Sequence, residues 1–190
     1  MLYDRSDIAL AVSQGMTSPG RLSGGLEISV LDKRARYSLR AKPAAADHVR
    51  KLTGLPLPSG INQSAEEKTI RLHCLGPDEW LLVADNGDDL QARFAIDPKK
   101  ASATPFSLVD VSHRHVAIEV TGANAANAIR TGCPLDLDPD AFPVGKVTRT
   151  LFERTEIILF RRAPDHFDIE VWRSFAPYLL ALLKKAAEHC

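Results

Sequence analysis

Apolar residues alternate with polar ones in short runs along most of the chain, and helical spacing is confined to a few stretches. Ile28 and Val30, then Tyr37 and Leu39, alternate with polar neighbours and predict two short strands. Residues 43–53 predict a helix. Pro43 fits its first turn, Val49 and Leu52 supply an apolar stripe, and Gly54 stands where a left-handed cap is wanted. Residues 59–67 are polar and predict a loop. Ile70, Leu72 and Cys74 share one strand face, Gly76-Pro77-Asp78-Glu79 is turn chemistry, and residues 80–84 return to complete a hairpin. Leu90 and Phe94, four apart, suggest a short helix over 88–94. Strands follow over 109–115 and 116–120. Thr121 is expected to cap a helix of small residues over 123–131, closed by Gly132. Residues 147–152 and 156–161 predict a hairpin, and Phe167, Ile169 and Val171 a further strand. Ser174 is expected to cap the last helix, where Phe175, Tyr178, Leu179, Leu182, Leu183 and Ala186 form one stripe. Lys184 and Lys185 suit the negative end of its dipole. Residues 1–25 show no sustained period and predict an N-terminal arm, ordered against a partner if at all.

The pattern T-G-x-P-L occurs twice, as Thr53-Gly54-Leu55-Pro56-Leu57 and as Thr131-Gly132-Cys133-Pro134-Leu135. Each copy ends a predicted helix that follows a strand, and each precedes a hairpin and another helix. This order predicts an α+β fold of two β-α-β-β-α halves, at about 26–100 and 101–190, within one domain over 26–190. Two unrelated helix ends sharing Gly and Pro would be the simpler explanation.

Composition narrows the function. The 190 residues are 45% hydrophobic and 25% charged, which suits a globular domain. Lysine plus arginine balance aspartate plus glutamate at 24 each, so a broad grip on nucleic acid or on an anionic membrane is not expected. No apolar run approaches the ~20 residues needed to span a bilayer. Asp4 and Asp7 stand where a signal peptide wants bases, so a cytoplasmic protein is expected. Cys74, Cys133 and Cys190 lack metal-type or disulfide-type spacing. Cys74 and Cys133 read as buried hydrophobes, and Cys190 as an exposed thiol. The chain has no G-x-G-x-x-G, Walker-type loop, G-x-S-x-G or H-E-x-x-H, so no catalytic, cofactor or metal site is assigned to it.

The most informative segment runs over 109–122. Val109 and Val111 are apolar on odd positions, whereas Val116, Ile118 and Val120 are apolar on even ones. A regular strand keeps one parity, so a bulge or bend is expected between Ser112 and His115. His113 and His115 lie two apart, but no third ligand is placed for a metal. His113, Arg114 and His115 are the candidate contact patch for a partner subunit, because arginine is enriched at interface hot spots. Asp110 and Glu119 are alternative, internal partners for Arg114.

Asp110-Val-Ser-His113, then Glu119-Val-Thr-Gly122 and Asn124-Ala125, resemble the D-x-S-H and V-T-G-x-[DN]-A signature of the folate-binding fold of the glycine-cleavage T-protein. A closer resemblance, to the gamma subunits of heterotetrameric sarcosine oxidases, rests on five ordered motifs. These are Leu75-Gly-Pro-Asp-Glu-Trp-Leu-Leu82, Asp110-Val-Ser-His-Arg114, Gly132-Cys-Pro-Leu-Asp-Leu137, Ala141-Phe-Pro-Val-Gly145 and Trp172-Arg-Ser-Phe-Ala-Pro-Tyr-Leu179. The resemblance implies a non-catalytic small subunit beside alpha, beta and delta subunits. The complex would demethylate sarcosine oxidatively to glycine, with hydrogen peroxide and formaldehyde or 5,10-methylenetetrahydrofolate as further products. It also implies that FAD, FMN, NAD and tetrahydrofolate lie in the partner subunits. Where the aminomethyltransferases carry Gly-Gly-x-x-Asp-Asp, this chain has Phe152-Glu-Arg-Thr-Glu-Ile157, so a lost folate site is expected. A standalone folate-binding or assembly protein and an autonomous folate-dependent enzyme are the alternatives.

Overall fold

Strand pairing, antiparallel throughout the described residues, governs the architecture. The computed structural model describes residues 20–21, 25–31, 34–85 and 105–188, with the side chains of 20, 21, 52 and 53 left aside. The described strands are β1 (Gly20–Arg21), β2 (Glu27–Leu31), β3 (Ala35–Ala41), β4 (Ser64–Glu67), β5 (Ile70–Gly76), β6 (Glu79–Ala84), β7 (Phe106–Asp110), β8 (His115–Thr121), β9 (Val147–Phe152), β10 (Thr155–Ala163) and β11 (His166–Trp172). Helices α1 (Ala46–Thr53), α2 (Ala125–Arg130) and α3 (Ala176–Ala187) accompany them. Single 3₁₀ turns, Pro43–Ala45 and Arg173–Phe175, lead into α1 and α3.

The chain divides into two compact units, one spanning Lys33–Ser112 and the other joining the described residues before 33 to those from His113 onward. The first holds a five-stranded sheet in the order β4-β5-β6-β3-β7. Tyr37, Leu39, Ile70, Leu72, Cys74, Trp80 and Leu82 form its core with Val49 of α1 and Leu55. The second holds a six-stranded sheet in the order β1-β2-β8-β11-β10-β9. There Val116, Ile118 and Val120, Ile157 and Leu159, and Phe167, Ile169 and Val171 pack with Ile129 of α2 and with Leu179, Leu180 and Leu183 of α3.

In each sheet a helix follows one strand, β3 or β8, and three hairpin-linked strands come next; the last of the three pairs with that first strand. The β-α-β-β-α order expected of two consecutive halves is therefore too simple. Strand β2, expected in the first half, pairs instead with β8 of the second unit. Hydrogen bonding between distant strands decides this, and no local pattern encodes it.

Local expectations meet mixed outcomes. Gly54 has φ 76° and its N–H donates to the Arg50 carbonyl, the left-handed cap the pattern asked for. Residues 64–67 form edge strand β4 rather than loop, since an edge strand tolerates Glu66 and Glu67 on exposed positions. Thr121 belongs to β8, and α2 starts after Asn124 without a side-chain cap bond. Ser174 lies in the 3₁₀ turn before α3 and makes no cap bond. Part of the expected arm, Gly20–Arg21, adds an edge strand to β2. The rest of the arm below residue 20, the helix expected over 88–94 and Cys190 lie outside the described residues.

Candidate functional site

The parity switch marks the passage of the chain from one sheet to the other. Strand β7 pairs with β3 in the five-stranded sheet, and β8 pairs with β2 and β11 in the six-stranded sheet. The expected bend is present, but it is a crossover between sheets rather than a bulge in one ladder. Hydrogen bonds fix its first part. The Ser112 N–H and Oγ–H donate to Asp110 Oδ1 at 2.8 and 2.6 Å, and Ser112 Oγ accepts the Arg36 N–H at 2.9 Å. The Asp-x-Ser motif thus shapes the backbone, as Asx turns do.

The second part of the crossover is fastened to the 3₁₀ turn that leads into α3. The Arg173 N–H donates to the Arg114 carbonyl at 2.9 Å, and Arg173 Nε donates to the His113 carbonyl at 3.2 Å. The Arg114 guanidinium lies over the Trp172 ring, 5.4 Å from its centroid. His115 is buried and meets the same ring edge-on at 5.9 Å. His113 is exposed. Of the three candidate contact residues, one faces solvent, one is half-buried on an aromatic platform, and one props that platform from the buried side. Glu119, an alternative partner of Arg114, is engaged with Ser29 and His166 instead. Trp172, Phe175 and Tyr178 remain 43%, 47% and 42% exposed. An arginine stacked on an exposed tryptophan matches the composition of protein contact surfaces.

A second group of polar side chains gathers on the six-stranded sheet. Asp168 stands opposite Glu119 in the β8–β11 ladder. His166 Nε2 lies 2.8 Å from Glu119 Oε1 and 3.4 Å from Asp168 Oδ1. The hydrogen bond and charge of Asp168, with the charge of Glu119, raise the imidazole pKa above its usual value, against burial and Arg162. Among the described residues this is the group whose histidine and carboxylates converge closely enough to hold a cation. His113 and His115 are not part of it.

The β9–β10 hairpin stands where the aminomethyltransferases carry Gly-Gly-x-x-Asp-Asp. Its two-residue turn is Glu153-Arg154, both exposed. The Glu153 N–H donates to the Gly132 carbonyl, and the Glu156 carboxylate is exposed, 3.8 Å from Arg149. Both acids are exposed. Cys74 and Cys133 are buried, and burial raises both thiol pKa values, which suits unreactive core residues.

The sarcosine oxidase gamma subunit family matches residues 38–189. The chain belongs to that family. Sarcosine oxidase subunit gamma of Arthrobacter sp. is 30% identical over 158 residues, covering 81% of this chain and 73% of the relative. The same subunit of Corynebacterium sp. (strain P-1) is 29% identical over 177 residues, covering 90% and 82%. The heterotetrameric sarcosine oxidase of Corynebacterium sp. U-96, in complex with pyrrole 2-carboxylate, contains a chain that matches with a TM-score of 0.79 at 25% identity, over 96% of this chain and 94% of that one. Aminomethyltransferase T of the Bartonella henselae glycine cleavage system matches with a TM-score of 0.59 at 17% identity, over 82% of this chain and 44% of that one, a likeness of fold.

In this gamma-family chain the motifs that carried the resemblance hold the backbone in place. Gly122 closes the Val-Thr-Gly run with φ 113°, and a Cβ there would stand 2.1 Å from the Gly25 carbonyl oxygen. Arg161, 4% exposed, donates through Nη1 to the carbonyls of Leu137 and Phe142 and through Nε and Nη2 to that of Pro164. It thereby ties two family motifs to β10. Sequence reasoning named Trp172 only within a family motif and Glu119 only in a motif and as a possible partner of Arg114; it passed over Arg161 and the meeting of Glu119 with His166 and Asp168. Parity held a partial signal, since Trp172 is an aromatic on the polar parity of β11, shared with His166 and Asp168.

Proposed function

We propose that the chain works as the non-catalytic gamma subunit of a heterotetrameric sarcosine oxidase. Alpha, beta and delta subunits are its partners, and they hold FAD, FMN, NAD and tetrahydrofolate. With oxygen as the oxidant, which is reduced to hydrogen peroxide, the assembly demethylates sarcosine to glycine in the cytoplasm, and the one-carbon unit leaves as formaldehyde or as 5,10-methylenetetrahydrofolate. The observation that carries this reading is the match over nearly the whole of both chains to a component of a heterotetrameric sarcosine oxidase. The exposed two-residue turn in place of Gly-Gly-x-x-Asp-Asp supports a role without folate chemistry. The shared sheet order of the two units supports an internal duplication.

The partner-facing surface in this reading is built on His113 and Arg114, with Trp172 under the Arg114 guanidinium and His115 as the buried support. Purification of the tagged chain from its native host tests the function. It should bring down three further chains, flavin absorbance and sarcosine-dependent peroxide formation. Recovery of the chain alone, or with proteins that do not oxidise sarcosine, would overturn the reading. Calorimetric titration of the isolated chain with tetrahydrofolate tests the alternative of a standalone folate-binding protein, and no saturable heat is expected. On its own the purified chain should be colourless and inert toward sarcosine.

A further inference from the structure

Antiparallel register brings three metal-type ligands to one place on the six-stranded sheet. Asp168 sits directly opposite Glu119, and His166 lies two residues before Asp168 on the same strand face. Ligand atoms of the three lie within 4.8 Å of one another, and the imidazole Nε2 is 2.8 and 3.4 Å from its two carboxylate neighbours. Ligands about 2.0–2.1 Å from a tetrahedral zinc ion stand ~3.3 Å apart, so the side chains need move only slightly to enclose one.

Two further observations set this group apart from a surface ion pair. Asp168 is 3% exposed, so one carboxylate of the three is held inside the sheet. Ser29 of β2 donates its hydroxyl to Glu119 Oε2 at 3.1 Å, leaving Oε1 on the imidazole side. Such an outer hydrogen bond orients a carboxylate ligand. Glu119 and His166 are each 25% exposed at the side chain, which gives an ion a way in and a water molecule a coordination position.

We propose that Glu119, His166 and Asp168 bind one divalent transition-metal ion of the zinc class. One imidazole nitrogen with two carboxylate oxygens suits Zn²⁺ or Co²⁺ better than Ca²⁺, which takes more ligands, all oxygen. A divalent ion balances two carboxylates with a neutral imidazole, a closer charge match than an imidazolium provides. It would pin β8 to β11, with β2 fastened through Ser29, and so would stabilise the sheet rather than run chemistry. This inference does not rest on the subunit role.

The full chain, stripped with a chelator and desalted, decides the matter. Zn²⁺ is titrated by calorimetry and Co²⁺ by visible absorption. One ion per chain is expected, with cobalt bands stronger than those of the aqueous ion and a higher thermal midpoint. His166→Ala should weaken uptake at least about tenfold and abolish the thermal shift. Asp168→Asn should act in the same direction. His113→Ala, which alters the exposed histidine of the crossover, should leave uptake unchanged. His166 lies at the first, partly exposed position of β11, so its variant gives a folded comparison even if Asp168→Asn does not fold. No uptake in excess metal, or uptake that survives His166→Ala, would overturn the proposal and leave the group as a charge triad.

Discussion

A single buried side chain does much of the organising in the C-terminal unit. The Arg161 guanidinium stacks on Phe167 at 5.1 Å and satisfies the carbonyls of Leu137, Phe142 and Pro164. Arg161→Met keeps the length of the chain but removes every donor, leaving those acceptors poorly paired. A loss of ~3 kcal/mol is expected, read as a lower denaturant midpoint with an unchanged slope. Gly122 is constrained in another way. Its backbone lies where L side chains rarely sit, and its missing Cβ makes room for the Gly25 carbonyl. Gly122→Ala should cost about 3 kcal/mol in the same measurement. The equivalent glycine of the second T-G-x-P-L copy has a different task from the first. Gly132 is absent from the positive-φ glycines, and a Cβ there would lie 2.5 Å from the Phe152 ring. The repeated pattern therefore hides a left-handed helix cap in one copy and a packing contact in the other.

At the scale of an element, α3 shows how far periodicity reaches. The expected stripe is rotated. Ala176, Leu179, Leu180, Leu183, Ala186 and Ala187 are buried, while Phe175 and Tyr178 stay exposed and Leu182 is partly buried. Leu179→Ala should cost about 2–5 kcal/mol, because a fully buried leucine leaves a cavity. Leu182→Ala should cost clearly less, and Tyr178→Ala should change the isolated chain by within ~0.5 kcal/mol. Equal losses for the leucines in urea unfolding would contradict the observed face. The rotation escaped the periodic pattern because apolar residues surround most of the helix start. Six apolar candidates fit one stripe, and the sheet they pack on chooses among them.

At the scale of the whole molecule, the proposed partner surface is open to test. Arg114→Ala and Trp172→Ala remove the halves of one stacking contact at the crossover. Each should leave the thermal midpoint of the isolated chain nearly unchanged and reduce recovery of the assembled oxidase on co-expression. A loss of thermal stability with assembly falling only in proportion would assign the pair an internal role. Among the described residues no helix is long and apolar enough to cross a membrane.

Several features needed nothing beyond the sequence. Alternation placed most described strands within a residue or two, Gly54 marked a helix end, and the five ordered motifs pointed to the family that matches residues 38–189. These depend on local backbone preference or on residue order, which a linear chain displays directly. The parity switch over 109–120 announced a break, yet its nature emerged only when β7 and β8 joined different sheets. The placing of β2 beside β8, the Arg161 cage of carbonyls, the Trp172 platform and the meeting of Glu119 with His166 and Asp168 all join residues far apart in sequence. Each is set by strand register and by which face of a sheet is covered, and a one-residue slip of register would scatter all of them.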